Sequence, residues 1–292
     1  MGAGDSPGAL PRILGMSLRT LALAALGKSD LQEKLTLVAA LKVEASALAV
    51  DPEALLPEPA ALPGRPAQPL LIEPAQVPRR SVHTLDGRAA LIHAICHIEF
   101  NAINLALDAI WRFAGMPEDF YRDWLRVAIE EAHHFNLLHE HLQSLAQDER
   151  SGVPRWCYGS FAAHDGLWAM CEKTRHDITA RMALVPRTLE ARGLDATPLI
   201  QTRLRQIATP DALAACNILD IILRDEIGHV AIGNHWYRWL CEREGLEPVA
   251  HYKTLARLHK APRLKGPFNT TARQRAGFTE AELATLAQGA EN

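Results

Sequence analysis

From residue 85 to residue 244 the apolar positions recur every three or four residues in four long runs, the spacing that gathers them on one face of an α-helix. They predict helices over about 85–113, 117–147, 166–192 and 210–244. Gly115-Met116-Pro117 separates the first two, with Gly closing one helix and Pro opening the next. Thr209 is the expected N-cap of the fourth and Pro210 its first-turn proline. Gly193 and Gly245 are the expected ends of the third and fourth, and Pro186 is expected to kink the third just before Glu190.

Around these runs the pattern changes. Between Ser17 and Val50 it predicts two shorter helices, on either side of Lys28-Ser29-Asp30, and residues 1–11 are expected to be loose. Residues 51–80 hold eight prolines, which exclude a regular helix and predict an extended surface path. The link Asp148–Asp165 is rich in turn residues, and at up to ~3.3 Å per residue it can cross from one end of a helical bundle to the other. His164 and Asp165 are read there as helix-capping residues. After Gly245 the chain turns basic: Lys253, Arg257, Lys260, Arg263, Lys265, Arg273 and Arg275 precede Glu280. A solvated arm draped on the bundle is the expectation, and an anion or RNA patch the sharper alternative.

The chain therefore reads as all-α: an N-terminal helical extension over 1–50, a proline-rich linker over 51–80, a four-helix bundle over 81–245 and a basic arm over 246–292. With 292 residues, 48% of them hydrophobic, it is long enough for one substantial core. A net charge of −3 gives no global attraction to nucleic acid or to an anionic membrane, and no apolar run reaches the ~20 residues of a membrane-spanning helix. LRTLALAALG is too short for a secretory signal and Asp5 precedes it, so it reads as an amphipathic helix. Five scattered cysteines without a C-x-x-C fit a reducing cytoplasm.

The chemistry sits on the helices. In AIEEAHHFNLLHE, Glu131 and His134 lie three residues apart, so a carboxylate and an imidazole share one helix face. That pairing suits iron, manganese or zinc better than calcium. Glu130 and His133 repeat the spacing one residue earlier, but Glu131 belongs to the apolar stripe of Trp124, Val127, Ala128, Phe135, Leu138 and Leu142, which favours Glu131 with His134. Glu130, His133, Glu140 and His141 then read as solvated or supporting residues. Glu226 and His229 repeat the motif in the fourth helix, on an apolar face where an unpartnered carboxylate would be costly. Glu99 and Glu190 stand on the helices that precede each motif.

The resulting order, Glu, Glu-x-x-His, Glu, Glu-x-x-His, is the ligand set of di-iron and di-manganese carboxylate bundles. At about 1.5 Å per helical residue the Gly115–Pro117 break puts Glu99 and Glu131 level, and the break near Ala208 does the same for Glu190 and Glu226. His93 and His97, one turn apart in the first helix, are expected to be hydrogen-bonded core residues, with support of a ligand carboxylate as the alternative.

With HAICHIEF, EEAHHF and RDEIGHVAIG in this order, the chain resembles the ferritin-like superfamily. More narrowly it is similar to an uncharacterised bacterial ferritin-like family, domain of unknown function 455, through EARGLD and PFNTTARQRAGF as well, and more distantly to a tRNA hydroxylase branch. The resemblance implies that Glu99, Glu131, His134, Glu190, Glu226 and His229 are metal ligands, with Glu131 and Glu226 bridging two ions and serving as the catalytic carboxylates. The expected cofactors are two iron ions, or manganese with iron, with O₂ as co-substrate.

The leading expectation is an O₂-dependent oxidase or hydroxylase of a small molecule, or of RNA, served by an electron-donor protein and with no membrane partner. A ferroxidase or an iron- and manganese-handling protein is the second reading, and a metal-free helical scaffold the third. The proline-rich linker, the extra N-terminal helices and the C-terminal arm depart from storage ferritins and weigh against a ferritin-type cage.

Overall fold

The computed structural model describes residues 15–59, 61–147 and 150–291, so the expectation for residues 1–11 falls outside it. Among the described residues the protein is an all-α bundle: helices account for the regular structure, and the only β pairings are the isolated bridges Leu71–Ala163 and Gln147–Pro154. Two compact units can be distinguished. One gathers the described residues up to Pro66 with Ala106–Ile129, and the other gathers Ala67–Leu105 with the described residues from Glu130 onward.

The first unit contains α1 (Leu18–Leu26) and α2 (Leu31–Glu44), begun by the side chains of Ser17 and Asp30, which accept from the backbone N–H of Thr20 and Glu33. Two buried cations bind it to its own backbone. The Arg19 guanidinium donates to the carbonyls of Ile110 (3.2 Å) and Trp111 (2.7 Å) and to those of Asp51, Pro52 and Ala54. It thereby satisfies carbonyls that the end of a helix leaves open. Lys34 Nζ donates to the carbonyls of Leu26 (3.1 Å) and Gly64 (2.9 Å), and burial pulls its amine down to about 7.

α3 (Leu85–Arg112) and α4 (Glu118–Ser144) form an antiparallel hairpin, reversed at Gly115, which adopts the left-handed φ of +75°. Glu99 lies thirteen residues before the last residue of α3, and Glu131 thirteen residues after the first of α4. By length and composition α3 would suffice to cross a membrane, which corrects the reading of the apolar runs, and 72% of its most apolar window is buried inside the fold.

The crossover is fastened to α3. Tyr158 stacks on His93 and His97 and shares a 2.8 Å hydrogen bond with His97 Nδ1, while the Gly159 N–H donates to His93 Nε2 at 2.9 Å. The two histidines are therefore hydrogen-bonded core residues that hold a loop. At the end of the link His164 makes the local bond, its Nδ1 accepting from the Gly166 N–H, and Asp165 makes no side-chain cap.

The third run differs from its expected form. α5 (Gly166–Lys173) stands alone, and a separate helix begins with α6 (Ile178–Leu184), widens into a π turn at Val185–Glu190 and continues as α7 (Ala191–Ile207). Pro186 has no N–H and its ring crowds the preceding turn; the π turn gives it room, and the Thr188 hydroxyl donates to the Ala183 carbonyl at 2.7 Å. Gly193 does not end the helix. Leu194, Thr197 and Leu204 are buried beyond it, and their packing outweighs a glycine penalty of about 1 kcal/mol. Pro198 is tolerated because Asn269 Nδ2 donates at 3.2 Å to the Leu194 carbonyl, which Pro198 cannot reach. The helix ends at Ala208 in a left-handed conformation, and α8 (Pro210–Glu244) follows, stopped by left-handed Gly245.

α8 and α3 are joined at their starts by a bidentate pair, Arg88 with Asp211, at 2.5 and 3.2 Å. Gly233 lets α8 approach the π turn closely: a Cβ there would stand 2.5 Å from Pro186 Cβ. α9 (Pro248–Leu258), α10 (Thr270–Arg275) and α11 (Glu280–Glu291) form the C-terminal arm. Ala272, Ala276 and Phe278 pack on Ala191, Leu194 and Val230. Arg273, grouped by sequence with the solvated cations, is instead fully buried and paired with Asp195 at 2.6 Å.

Candidate metal centre

All six residues singled out from the sequence lie in the second unit and are buried. Glu99, Glu131, His134 and Glu226 each bring a donor atom to within 4.8 Å of the others, a spacing one ion can bridge. The equal distances of Glu99 and Glu131 from the hairpin turn explain why two residues 32 positions apart meet. The second hairpin follows the same rule. Glu190 and Glu226 lie 17 and 16 residues from the ends of α7 and α8 that flank Ala208 and Thr209.

Glu131 is the centre of the arrangement. Its Oε2 is 3.4 Å from His134 Nδ1, and its Oε1 is 3.0 Å from His229 Nδ1. The two imidazole centroids are 5.8 Å apart. Glu99 Oε2 lies 3.4 Å from His134 Nδ1, and Glu226 Oε1 lies 3.9 Å from His229 Nδ1. Glu190 is set against the Glu226 and Glu131 charges, and neither of its buried oxygens has a hydrogen-bond partner.

Each histidine is also held from behind. His134 Nε2 lies 3.2 Å from Asp225 Oδ2, and His229 Nε2 lies 2.7 Å from Glu130 Oε2. A carboxylate that accepts the Nε2–H of a neutral imidazole fixes the tautomer and leaves the Nδ1 lone pair facing the cluster, the support commonly given to metal-bound histidine. The sequence pattern gives Asp225 no role and leaves Glu130 as a solvated or supporting residue. A usable signal was present: both motifs read acid-Glu-x-x-His, with Glu130 before Glu131 and Asp225 before Glu226.

Burial pushes the Glu99 and Glu190 carboxyls well above the usual carboxylate range, and the charge of Glu131 adds to the first and those of Glu226 and Glu131 to the second. Glu226 is raised by burial and then by Glu131. Glu131 goes the other way: burial opposes its charge, but the nearby His229, aided by the hydrogen bond from His134, holds it below the usual range. Burial likewise opposes charge on the imidazoles. Glu131 and Glu99 nevertheless lift His134 to about 11, and Glu131 with Glu130 lifts His229 well above its ordinary value. The cluster thus draws positive charge strongly.

The donor set fits a transition metal. Glu99 Oε2, Glu131 Oε1, both Glu190 oxygens, Glu226 Oε2 and His229 Nδ1 are buried without a hydrogen bond; the 3.0 Å approach of Glu131 to His229 lacks the alignment for one. Unpaired buried polar atoms are rare and carry a desolvation penalty. Coordination would satisfy them together, and a mixture of carboxylate oxygen and imidazole nitrogen suits iron or manganese better than calcium.

Helical pairs that converge on buried glutamates and histidines define the class: an all-α protein with a buried carboxylate–histidine cluster that could hold a metal ion. The family profile described as "Protein of unknown function (DUF455)" matches residues 27–284, and the chain belongs to that family. It is 52% identical over 225 residues to an "Uncharacterized protein" of Haemophilus influenzae, a match that covers 75% of this chain and 74% of the relative. No solved structure matches the chain.

Proposed function

We propose that this protein is a ferritin-like dinuclear-metal oxidase or hydroxylase that uses O₂ to oxidise an organic substrate. The observation that carries the reading is the two-sided presentation of Glu131, one oxygen toward His134 and the other toward His229. Glu99 and His134 would hold one ion, Glu190 and His229 the other, with Glu131 and Glu226 between them.

Held by these residues, two redox-active ions would supply electrons for O₂ reduction. The chain's part is to neutralise their charge with four carboxylates and to aim two Nδ1 atoms through Asp225 and Glu130. Phe100, Phe135 and Leu138 on the helices that carry Glu99, Glu131 and His134 are buried and help keep that region dry. The C-terminal arm, which packs on α7 and α8, favours a discrete enzyme over a subunit of a storage shell.

The test is elemental analysis of protein produced with iron and manganese available, beside a Glu131→Ala, Glu226→Ala variant. About two transition-metal ions per wild-type chain, lost in a variant that keeps its helical circular dichroism, is the expected result. Substoichiometric metal unchanged in the folded variant overturns it. O₂ consumption by the reduced, loaded protein that depends on an added organic compound supports oxidation or hydroxylation, whereas uptake of many irons per chain into a large shell favours iron handling.

A further inference from the structure

A cavity of about 540 Å³ opens within the C-terminal arm, bounded by α9, residues 259–264, α11 and the π turn, a size typical of small-ligand pockets. Its lining shares no residue with the glutamate–histidine cluster. Tyr252, Ala256, Leu264, Phe278 and Leu286 contribute to its largely apolar walls. The charge around them is one-sided. Arg187, Lys253, Arg257, Lys260, Arg263 and Arg273 line it, against a single carboxylate, Glu282.

That carboxylate is already engaged, at 2.8 Å with Arg187 and 2.9 Å with Arg238. The inner two cations are built into the wall. Arg187 is 4% exposed and lies over the rings of Tyr237, Tyr252 and Phe278, and Arg273 is fully buried between Phe268 and Phe278. After their bonds to Asn234, Glu282, Asp195 and the Ala191 carbonyl, Arg187 Nε and Arg273 Nη1 remain without a partner. The outer cations come from α9 and its end. Lys253, Arg257 and Lys260 follow one another at three- and four-residue spacing, are exposed, and form no ion pair among the described residues.

An apolar recess with a cationic mouth is complementary to a molecule that is apolar at one end and anionic at the other. We propose that this cavity binds an amphipathic small-molecule anion, with its hydrocarbon body against Ala256, Phe278 and Leu286 and its carboxylate or phosphate head on Lys253, Arg257 and Lys260. A concave, largely apolar site of this size suits a small ligand better than an extended nucleic-acid backbone, which tracks open basic surfaces. The inference does not depend on what the metal cluster binds.

Isothermal titration of the full chain with octyl phosphate and with octanoate tests it, with inorganic phosphate and octyltrimethylammonium as controls. The expected result is one site per chain for an octyl anion and weaker or no binding of both controls. Lys253→Glu with Arg257→Glu should weaken binding on the order of tenfold by reversing two head-group contacts. Ala256→Trp, which fills the half-buried wall, should abolish it. Preference between octyl phosphate and octanoate identifies the head group. Binding of octyltrimethylammonium as tight as that of the anions, wild-type affinity in both variants with helical circular dichroism intact, or no anion binding beside capture of an RNA oligonucleotide would each overturn the proposal.

Discussion

His229 Nε2 lies 2.7 Å from Oε2 of Glu130, the residue immediately before Glu131, so consecutive residues of α4 approach both nitrogens of one imidazole on α8. Glu130 is partly exposed and lends the ring its orientation without being buried in the cluster. Glu130→Gln is therefore expected to weaken metal affinity by about tenfold to a hundredfold with little loss of stability. Asp225→Asn should do the same through His134. Competition against a chelator checks both, and unchanged affinity in the two variants would remove the supporting role assigned here.

Glu131 faces both histidines, whereas Glu99 faces His134. A Glu131→Ala variant should lose both ions, and Glu99→Ala should keep about one per chain. Elemental analysis of the two folded variants decides the matter. Equal losses would mean that the sites are not divided as proposed.

Gly233 and Gly228 make a paired test of the π turn. A Cβ at Gly233 would stand 2.5 and 2.6 Å from two ring carbons of Pro186, while one at Gly228 meets nothing within 4 Å. Gly233→Ala is expected to destabilise by about 1–3 kcal/mol through overpacking, and to disturb the turn that carries Glu190. Gly228→Ala should be neutral or stabilising by up to about 1 kcal/mol, since alanine is the better helix former. Urea unfolding of both variants gives the comparison, and equal shifts would refute the close-packing account.

Lys34 carries a pH dependence. Burial lowers its amine from an ordinary value of 10.5 to about 7, so between those values the unfolded chain binds the extra proton. The contribution of Lys34 to stability is thus lowest below about pH 7 and rises as pH increases toward 10.5. Relative to Lys34→Met, the wild type should gain up to about 1.4 kcal/mol per pH unit within that window. Urea midpoints of both proteins at two alkaline pH values measure it, and a constant difference would show that the amine titrates normally.

Much of the candidate centre was legible in sequence because helices convert spacing into position. A Glu-x-x-His inside an apolar stripe can face only one way, and Glu131 and His134 are buried while His133 is exposed. Turns marked by Gly115 and by Thr209-Pro210 set the two glutamates of each hairpin at matching distances from the reversal. Pro186 announced an irregularity before Glu190, though not its form as a π turn.

The sequence by itself determined the all-α class, the helical hairpins and the faces that carry glutamate and histidine, because periodicity and helix-ending residues act locally. The tertiary structure alone decided which polar groups became partners. Asp225 and Glu130 reach histidines 91 and 99 positions away, Asn269 lets a helix pass Pro198, and Arg19, Lys34 and Arg273 are buried on distant carbonyls and an aspartate. A charged side chain looks solvent-exposed from composition; only the packing of remote segments removes its water and supplies the bonds that replace it.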